Sequence, residues 1–158
     1  MATLVRALAY ATLFISLVLV FLPARVLEWS GVTRPAEIGA MQWAGGVLVV
    51  LGGVLALACV LTFALAGKGT PAPFDPPRRL VVRGPYRFVR NPMYIGAGAA
   101  LAGAAMFYRA PALLGYAALF FVATHLFVVG YEEPALRRMF GAEYEDYCRR
   151  VRRWLPSW

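Results

Sequence analysis

The sequence predicts an all-α protein: a polytopic membrane helical bundle of about four transmembrane helices with a cytosolic C-terminal amphipathic helix. Three observations predict it. Of 158 residues, 61% are hydrophobic and only 15% charged, and mean hydropathy is +0.63; a soluble domain of this size leaves too much of its chain exposed to hide that apolar surface. The apolar residues gather into four blocks. The basic residues flank those blocks, so the net charge of +8 suits an anionic membrane surface rather than nucleic acid. Membrane lipids are therefore expected partners and nucleic acid is not.

The first block, Ala7–Leu22, follows Arg6. It has the outline of a secretory leader, but Pro23-Ala24-Arg25 is a poor cleavage site, so it reads as the first membrane helix. The second block, Ile38–Ala66, and the fourth, Pro111–Val129, are long enough to span a bilayer alone, which takes about 20 apolar residues. The third, Met93–Phe107, is short and joins the fourth through Tyr108-Arg109-Ala110, a connection that forces an antiparallel hairpin. Gly45, Gly46, Gly52 and Gly53, with Gly96, Gly98 and Gly103 in block three, are positions where membrane helices approach closely. Gly67 to Pro77 is rich in Gly and Pro and reads as a loop, leading into an extended stretch from Leu80 to a turn at Gly84-Pro85-Tyr86. From Pro134 onward, Leu136, Met139, Phe140, Tyr144, Tyr147, Cys148, Val151 and Leu155 form an apolar helical stripe, which Gly141 is placed to interrupt. Such a helix lies along the membrane surface or caps the bundle.

Basic residues assign the topology. Lys68, Arg78, Arg79, Arg83, Arg87 and Arg90 lie between blocks two and three, and Arg137, Arg138, Arg149, Arg150, Arg152 and Arg153 in the tail. In contrast, Arg25 and Arg34 are balanced by Glu28 and Glu37, and the hairpin turn has only Arg109. Four spans then place both termini and the charged machinery on the cytoplasmic side. Residues 1–158 form a single membrane domain: a helical pair at 1–66, a cytosolic loop at 67–92, and a hairpin and tail at 93–158. Cys59 in an apolar block and Cys148 in the tail make no disulfide framework, and with one histidine there is no metal-ligand spacing.

Three clusters could carry chemistry. In Gly84-Pro85-Tyr86-Arg87-Phe88-Val89-Arg90-Asn91-Pro92-Met93-Tyr94-Ile95-Gly96, Pro92 suits a helix's first turn. Arg87, Arg90, Asn91 and the helix-start amides would face a common water boundary that favours an anion. The same residues also read as an interfacial anchor, with arginines on head groups and tyrosines in the aromatic belt. Gly96-x-Gly98 is a place for helix packing or for close approach of a cofactor. His125 shares a helical face with Glu132 and Glu133 if block four continues; ionisable groups at membrane depth face a cavity or a partner. The third cluster, Phe140-Gly141-Ala142-Glu143-Tyr144-Glu145-Asp146-Tyr147, also reads as a solvated surface helix.

In order and spacing these clusters resemble the C-terminal half of the membrane methyltransferases that include isoprenylcysteine carboxyl methyltransferase and phosphatidylethanolamine N-methyltransferase. The resemblance covers residues 84–156 and rests on Gly84, Tyr86, Arg90, Pro92, Tyr94, Gly96, Glu132, Glu133, Phe140, Gly141, Tyr144, Tyr147 and Pro156. Asn91 departs from it, standing where many members have histidine; an amide hydrogen-bonds but does not titrate.

The resemblance implies transfer of a methyl group from S-adenosylmethionine to a lipophilic acceptor, small molecule or lipidated, at the cytosolic membrane edge. The implied cofactor pocket draws on Tyr86, Arg90, Asn91, Pro92, Tyr94, Gly96, Gly98, His125, Glu132, Glu133 and Tyr144. Arg90 and helix-start amides suit the cofactor carboxylate, the glutamates its ammonium or ribose hydroxyls, and Tyr94 and Tyr144 its adenine or sulfonium. Arg87, or one of the tail arginines, is the catalytic candidate for a carboxylate acceptor; His125 or a glutamate such as Glu133 is the candidate for deprotonating an amine. Carboxylate, amine and thiol acceptors all stay open, with a lean toward the isoprenylcysteine branch. The competing readings are an NADPH-dependent reductase like the membrane sterol reductases and a non-enzymatic membrane scaffold.

Overall fold

The computed structural model describes residues 12, 13, 15–32, 35, 37–63, 65 and 79–157, and all regular structure among them is helical. The expected loop from Gly67 to Pro77, with Lys68 and Arg78, lies outside the described residues, as do Arg6 and Arg34.

A π-wound stretch, Ile15–Phe21, runs directly into α1, Leu22–Trp29. The helix thus passes through Pro23 and beyond Leu22, where the first apolar block was expected to end. Proline has no N–H and its ring clashes with the carbonyl four residues back; the wider turns ahead of Pro23 absorb that conflict. The same arrangement recurs near the other end of the chain. There α4, Pro111–Phe127, continues through a π-wound Val128–Glu132 into α5, Glu133–Phe140, which contains Pro134.

Between these lie α2, Ala40–Thr62, and α3, Pro92–Tyr108. Glycines bring α2 and α3 into backbone contact. A Cβ on Gly45 would sit 2.6 Å from the Gly103 carbonyl oxygen, and one on Gly103 would sit 2.6 Å from that of Gly45. Gly52 and Gly96 oppose each other in the same way one heptad along. The two pairs run in opposite senses along the chain, so the helices are antiparallel. Gly46, Gly53 and Gly98 face open space instead.

The α3–α4 hairpin forms as expected. Arg109 takes a left-handed conformation at φ 49°, with its N–H donating to Met106 O at 3.2 Å and that of Ala110 to Ala105 O at 3.0 Å. This is a Schellman ending, which satisfies two carbonyls that the helix would leave orphaned.

Among the described residues, two helical runs are long and apolar enough to cross a membrane: Ala40–Thr62, with mean hydropathy 2.6, and Pro111–Phe140, with 2.1. Their outward faces expose Val47, Val50, Leu51, Val54 and Leu57, and Leu119, Val122 and Leu126. With 17 residues, α3 rises about 25 Å at ~1.5 Å per residue, slightly less than a hydrocarbon core of about 30 Å.

The tail is not one amphipathic helix. Gly141, at φ 50°, breaks it between α5 and α6, Ala142–Arg150. Tyr144, Tyr147 and Val151 turn inward and pack with Leu80, Val82, Leu136 and Phe140, while Met139 and Leu155 stay exposed. The last residues then cross the segment before α3. The Arg90 N–H donates to Arg152 O at 2.9 Å and the Ser157 N–H to Phe88 O at 2.8 Å. The tail is a cap sewn onto one end of the bundle.

Candidate functional site

Where the cap meets the bundle there is a cleft lined by Phe63, Leu80, Val81, Tyr86, Arg90, Asn91, Val128, Glu132, Glu133, Leu136, Tyr144 and Tyr147. Four segments deliver the polar side chains of this lining. Gly84, at φ 57° and with no room for a Cβ beside the Thr62 hydroxyl, starts a single 3₁₀ turn, Gly84–Arg87, that buries Tyr86. Arg90 and Asn91 immediately precede α3. Glu132 ends the π-wound stretch and Glu133 opens α5, and α6 supplies Tyr144 and Tyr147.

Glu133 is the electrostatic centre, only 3% exposed. Arg153 donates to it twice, Nε to Oε1 at 2.7 Å and Nη2 to Oε2 at 2.9 Å. Arg90 Nη1 lies 3.1 Å from Oε1, and Arg137 Nη2, itself near Glu145, stands 3.9 Å from Oε2. Forked guanidinium–carboxylate bonds are among the stronger interactions available to a protein. Glu132 accepts from the Tyr94 hydroxyl at 3.2 Å. Arg90 also donates from Nη1 to Cys148 Sγ at 2.7 Å, yet its Nε is buried and has no partner among the described residues.

The tyrosines of the cap stay as neutral hydroxyls. Burial pushes the phenols of Tyr86, Tyr144 and Tyr147 above the ordinary tyrosine range. Tyr147 donates to the Tyr86 carbonyl at 2.7 Å, tying α6 to the 3₁₀ turn.

Of the residues singled out from sequence, Tyr86, Arg90, Asn91, Glu132, Glu133 and Tyr144 line this cleft. Tyr94 reaches it through Glu132, and Pro92 is buried in the first turn of α3, as expected. The others stand elsewhere. Gly96 faces the α2 backbone at Gly52, so packing rather than a cofactor occupies its approach; Gly98 faces open space outside the cleft. Arg87 is exposed, its guanidinium 4.9 Å from the Phe88 ring centroid. His125 accepts at Nδ1 from Trp154 Nε1 at 3.0 Å, away from the lining residues. His125 and Glu133 do share the tail as partner, at consecutive residues Trp154 and Arg153.

Sequence reasoning missed Phe63, Leu80, Val81, Val128, Leu136 and Tyr147 as lining. Leu136 and Tyr147 were visible on the tail stripe, and Val128 lies four residues before Glu132, where a helical turn brings it near. Phe63, Leu80 and Val81 flank the Gly67–Pro77 stretch and carry no pattern.

Described residues that are all helical in their regular structure, with two membrane-length helical runs among them and an arginine–glutamate–tyrosine cleft under a cap at one bundle end, define a class: helical membrane proteins with a polar site at the bundle edge. The chain belongs to the phospholipid methyltransferase family, whose description matches residues 40–143. It is 30% identical over 126 residues to a probable protein-S-isoprenylcysteine O-methyltransferase of Oryza sativa subsp. indica, and equally to one of subsp. japonica. Each match covers 76% of this chain and 63% of the relative, so the chain spans somewhat under two thirds of those proteins' length. No solved structure matches.

Proposed function

We propose that the protein transfers a methyl group from S-adenosylmethionine to a lipophilic acceptor of the isoprenylcysteine class, at the cytosolic edge of a four-span bundle. The unpartnered, buried Nε of Arg90 carries this reading. Leaving a charged donor unsatisfied costs free energy, and an anionic group such as the cofactor's carboxylate would recover it. The rest of the lining fits the same ligand. Glu132, oriented by Tyr94, presents a carboxylate to an ammonium or to ribose hydroxyls. Tyr86 and Tyr144 offer aromatic walls that suit adenine or a sulfonium.

Bound S-adenosylmethionine supplies a methyl group already activated on sulfonium. What remains for this chain is to align the acceptor and exclude water. The tail strap, held by Asn91, Arg90 and Phe88, closes the cleft from one side, and a hydrophobic acceptor enters from the bilayer between helices. Glu133, held by Arg153 and Arg90, serves to fix those cations and is not free to act as a base. His125 and Arg87, outside the lining, make no cofactor contact in this reading.

Calorimetric titration of the purified chain in detergent tests it. S-adenosylmethionine and S-adenosylhomocysteine are expected to bind saturably, each weakened by Glu132→Gln and by Arg90→Ala. Binding of NADPH in their place would make the protein a reductase. Silence from all three in folded protein would leave a membrane scaffold.

A further inference from the structure

Glu133 stands between two close guanidiniums, and one of them takes nearly all of it. Arg153 occupies both carboxylate oxygens, at 2.7 and 2.9 Å. Arg90 is left with a single contact to Glu133, at 3.1 Å from the Nη1 that also donates to Cys148 Sγ, and an idle buried Nε. One carboxylate against two close arginines leaves Arg90 underused as a donor beside the cleft. The other carboxylate at the cleft, Glu132, accepts from Tyr94, and the Arg90 Nε has no partner among the described residues.

Arg153 is not placed by accident. Its carbonyl accepts from Asn91 Nδ2 at 3.2 Å, the preceding carbonyl accepts from the Arg90 N–H, and the following indole donates to His125. The strap therefore delivers the guanidinium in register with Glu133.

We propose that Arg153 is a positioning residue that gives the cleft its selectivity for ligands bearing a carboxylate. By saturating Glu133 it prevents Arg90 from folding into its own two-bond fork with that glutamate, and so keeps Arg90 available to an anion. Without Arg153, Glu133 and Arg90 pair with each other in a fork and the cleft loses its free donor. Asn91 acts one step further back, by holding the strap. The inference rests on the cofactor reading above.

The test compares S-adenosylmethionine with decarboxylated S-adenosylmethionine, which lacks only the carboxylate, by calorimetry on the full chain in detergent. The unaltered protein is expected to prefer the carboxylate-bearing form by roughly ten- to hundredfold, the worth of a charge-assisted hydrogen bond. Arg153→Ala is expected to reduce that preference to within a few-fold of unity. Arg153→Lys keeps the charge but not the fork and is expected to fall between. A preference unchanged in the lysine variant, or in a folded alanine variant, overturns the proposal even where both affinities drop together, because a merely structural role would weaken the two ligands alike. If the unaltered protein binds neither ligand, the cofactor reading itself fails; if it binds both equally, that reading stands and the carboxylate selectivity is refuted.

Discussion

Asn91 is buried and spends its side-chain amide on the Arg153 carbonyl, 3.2 Å away. That gives a structural use to the residue at which the sequence departs from the pattern it resembles. An amide cannot lose this bond by titration. Replacing it by alanine removes one buried hydrogen bond and leaves a carbonyl unsatisfied, so Asn91→Ala is expected to cost about 1–2 kcal/mol, read as a lowered midpoint of thermal unfolding in detergent. The cap tyrosines carry a pH signature of their own. Burial holds the phenols of Tyr86, Tyr144 and Tyr147 protonated above their ordinary pKa of 10.0. Above about pH 10 the unfolded chain then binds fewer protons than the folded one, so stability falls as pH rises, by up to about 1.4 kcal/mol per unit for each tyrosine. Below pH 10 both states hold these protons and the slope vanishes. Unfolding midpoints measured from pH 8 to 11 check the sign, and Tyr147→Phe should reduce the alkaline slope while lowering stability at neutral pH by about 1 kcal/mol through loss of its bond to the Tyr86 carbonyl.

Elements are where the sequence was easiest to read, and α2 against α3 shows why. Gly45, Gly52, Gly96 and Gly103 repeat at heptad spacing in two apolar blocks, and small residues at that spacing have a direct consequence for how closely helices approach. What the spacing did not reveal was which glycines face inward, since Gly46 and Gly53 have the same repeat and face open space. A paired substitution separates them. Gly52→Ala puts a Cβ against the Gly96 carbonyl and the Ala100 backbone, neither of which can rotate away, so it is expected to destabilise by about 1–3 kcal/mol. Gly53→Ala meets nothing within 4 Å and is expected to be neutral or stabilising by up to about 1 kcal/mol, following helix propensity. Equal unfolding midpoints for the two variants would remove the zipper from the account. The boundaries at Leu22 and Val129 were harder to read because each precedes a proline, which ordinarily stops a helix; here π-wound turns carry the chain through Pro23 and Pro134.

Across the whole molecule, the half of the site that depends on local order along the chain was legible, and the half that depends on the return of the tail was not. Tyr86, Arg90, Asn91, Glu132, Glu133 and Tyr144 could be named because motif order carries them. Arg153 sits in a basic run, and nothing in a run of arginines says which one meets a glutamate 20 residues earlier. The same long-range closure gathers charge at one end. Arg79, Arg83, Arg87, Arg138, Arg150 and Arg152 are all exposed around the cap, while the far end of the bundle offers Arg109 at the hairpin turn and an Arg25–Glu28 pair at 2.6 Å. Basic residues are retained on the cytoplasmic side of short membrane segments, so the expected outcome for the proposed four-span bundle is that cap and cleft lie inside. Single cysteines in a background lacking Cys59 and Cys148 test this in intact cells with a membrane-impermeant maleimide. Arg109→Cys is expected to label from outside, and Arg150→Cys only after the membrane is permeabilised. The reverse pattern would place the cleft on the outer face, and labelling of both positions before permeabilisation would mean that α3 and α4 do not cross the membrane as a hairpin at all.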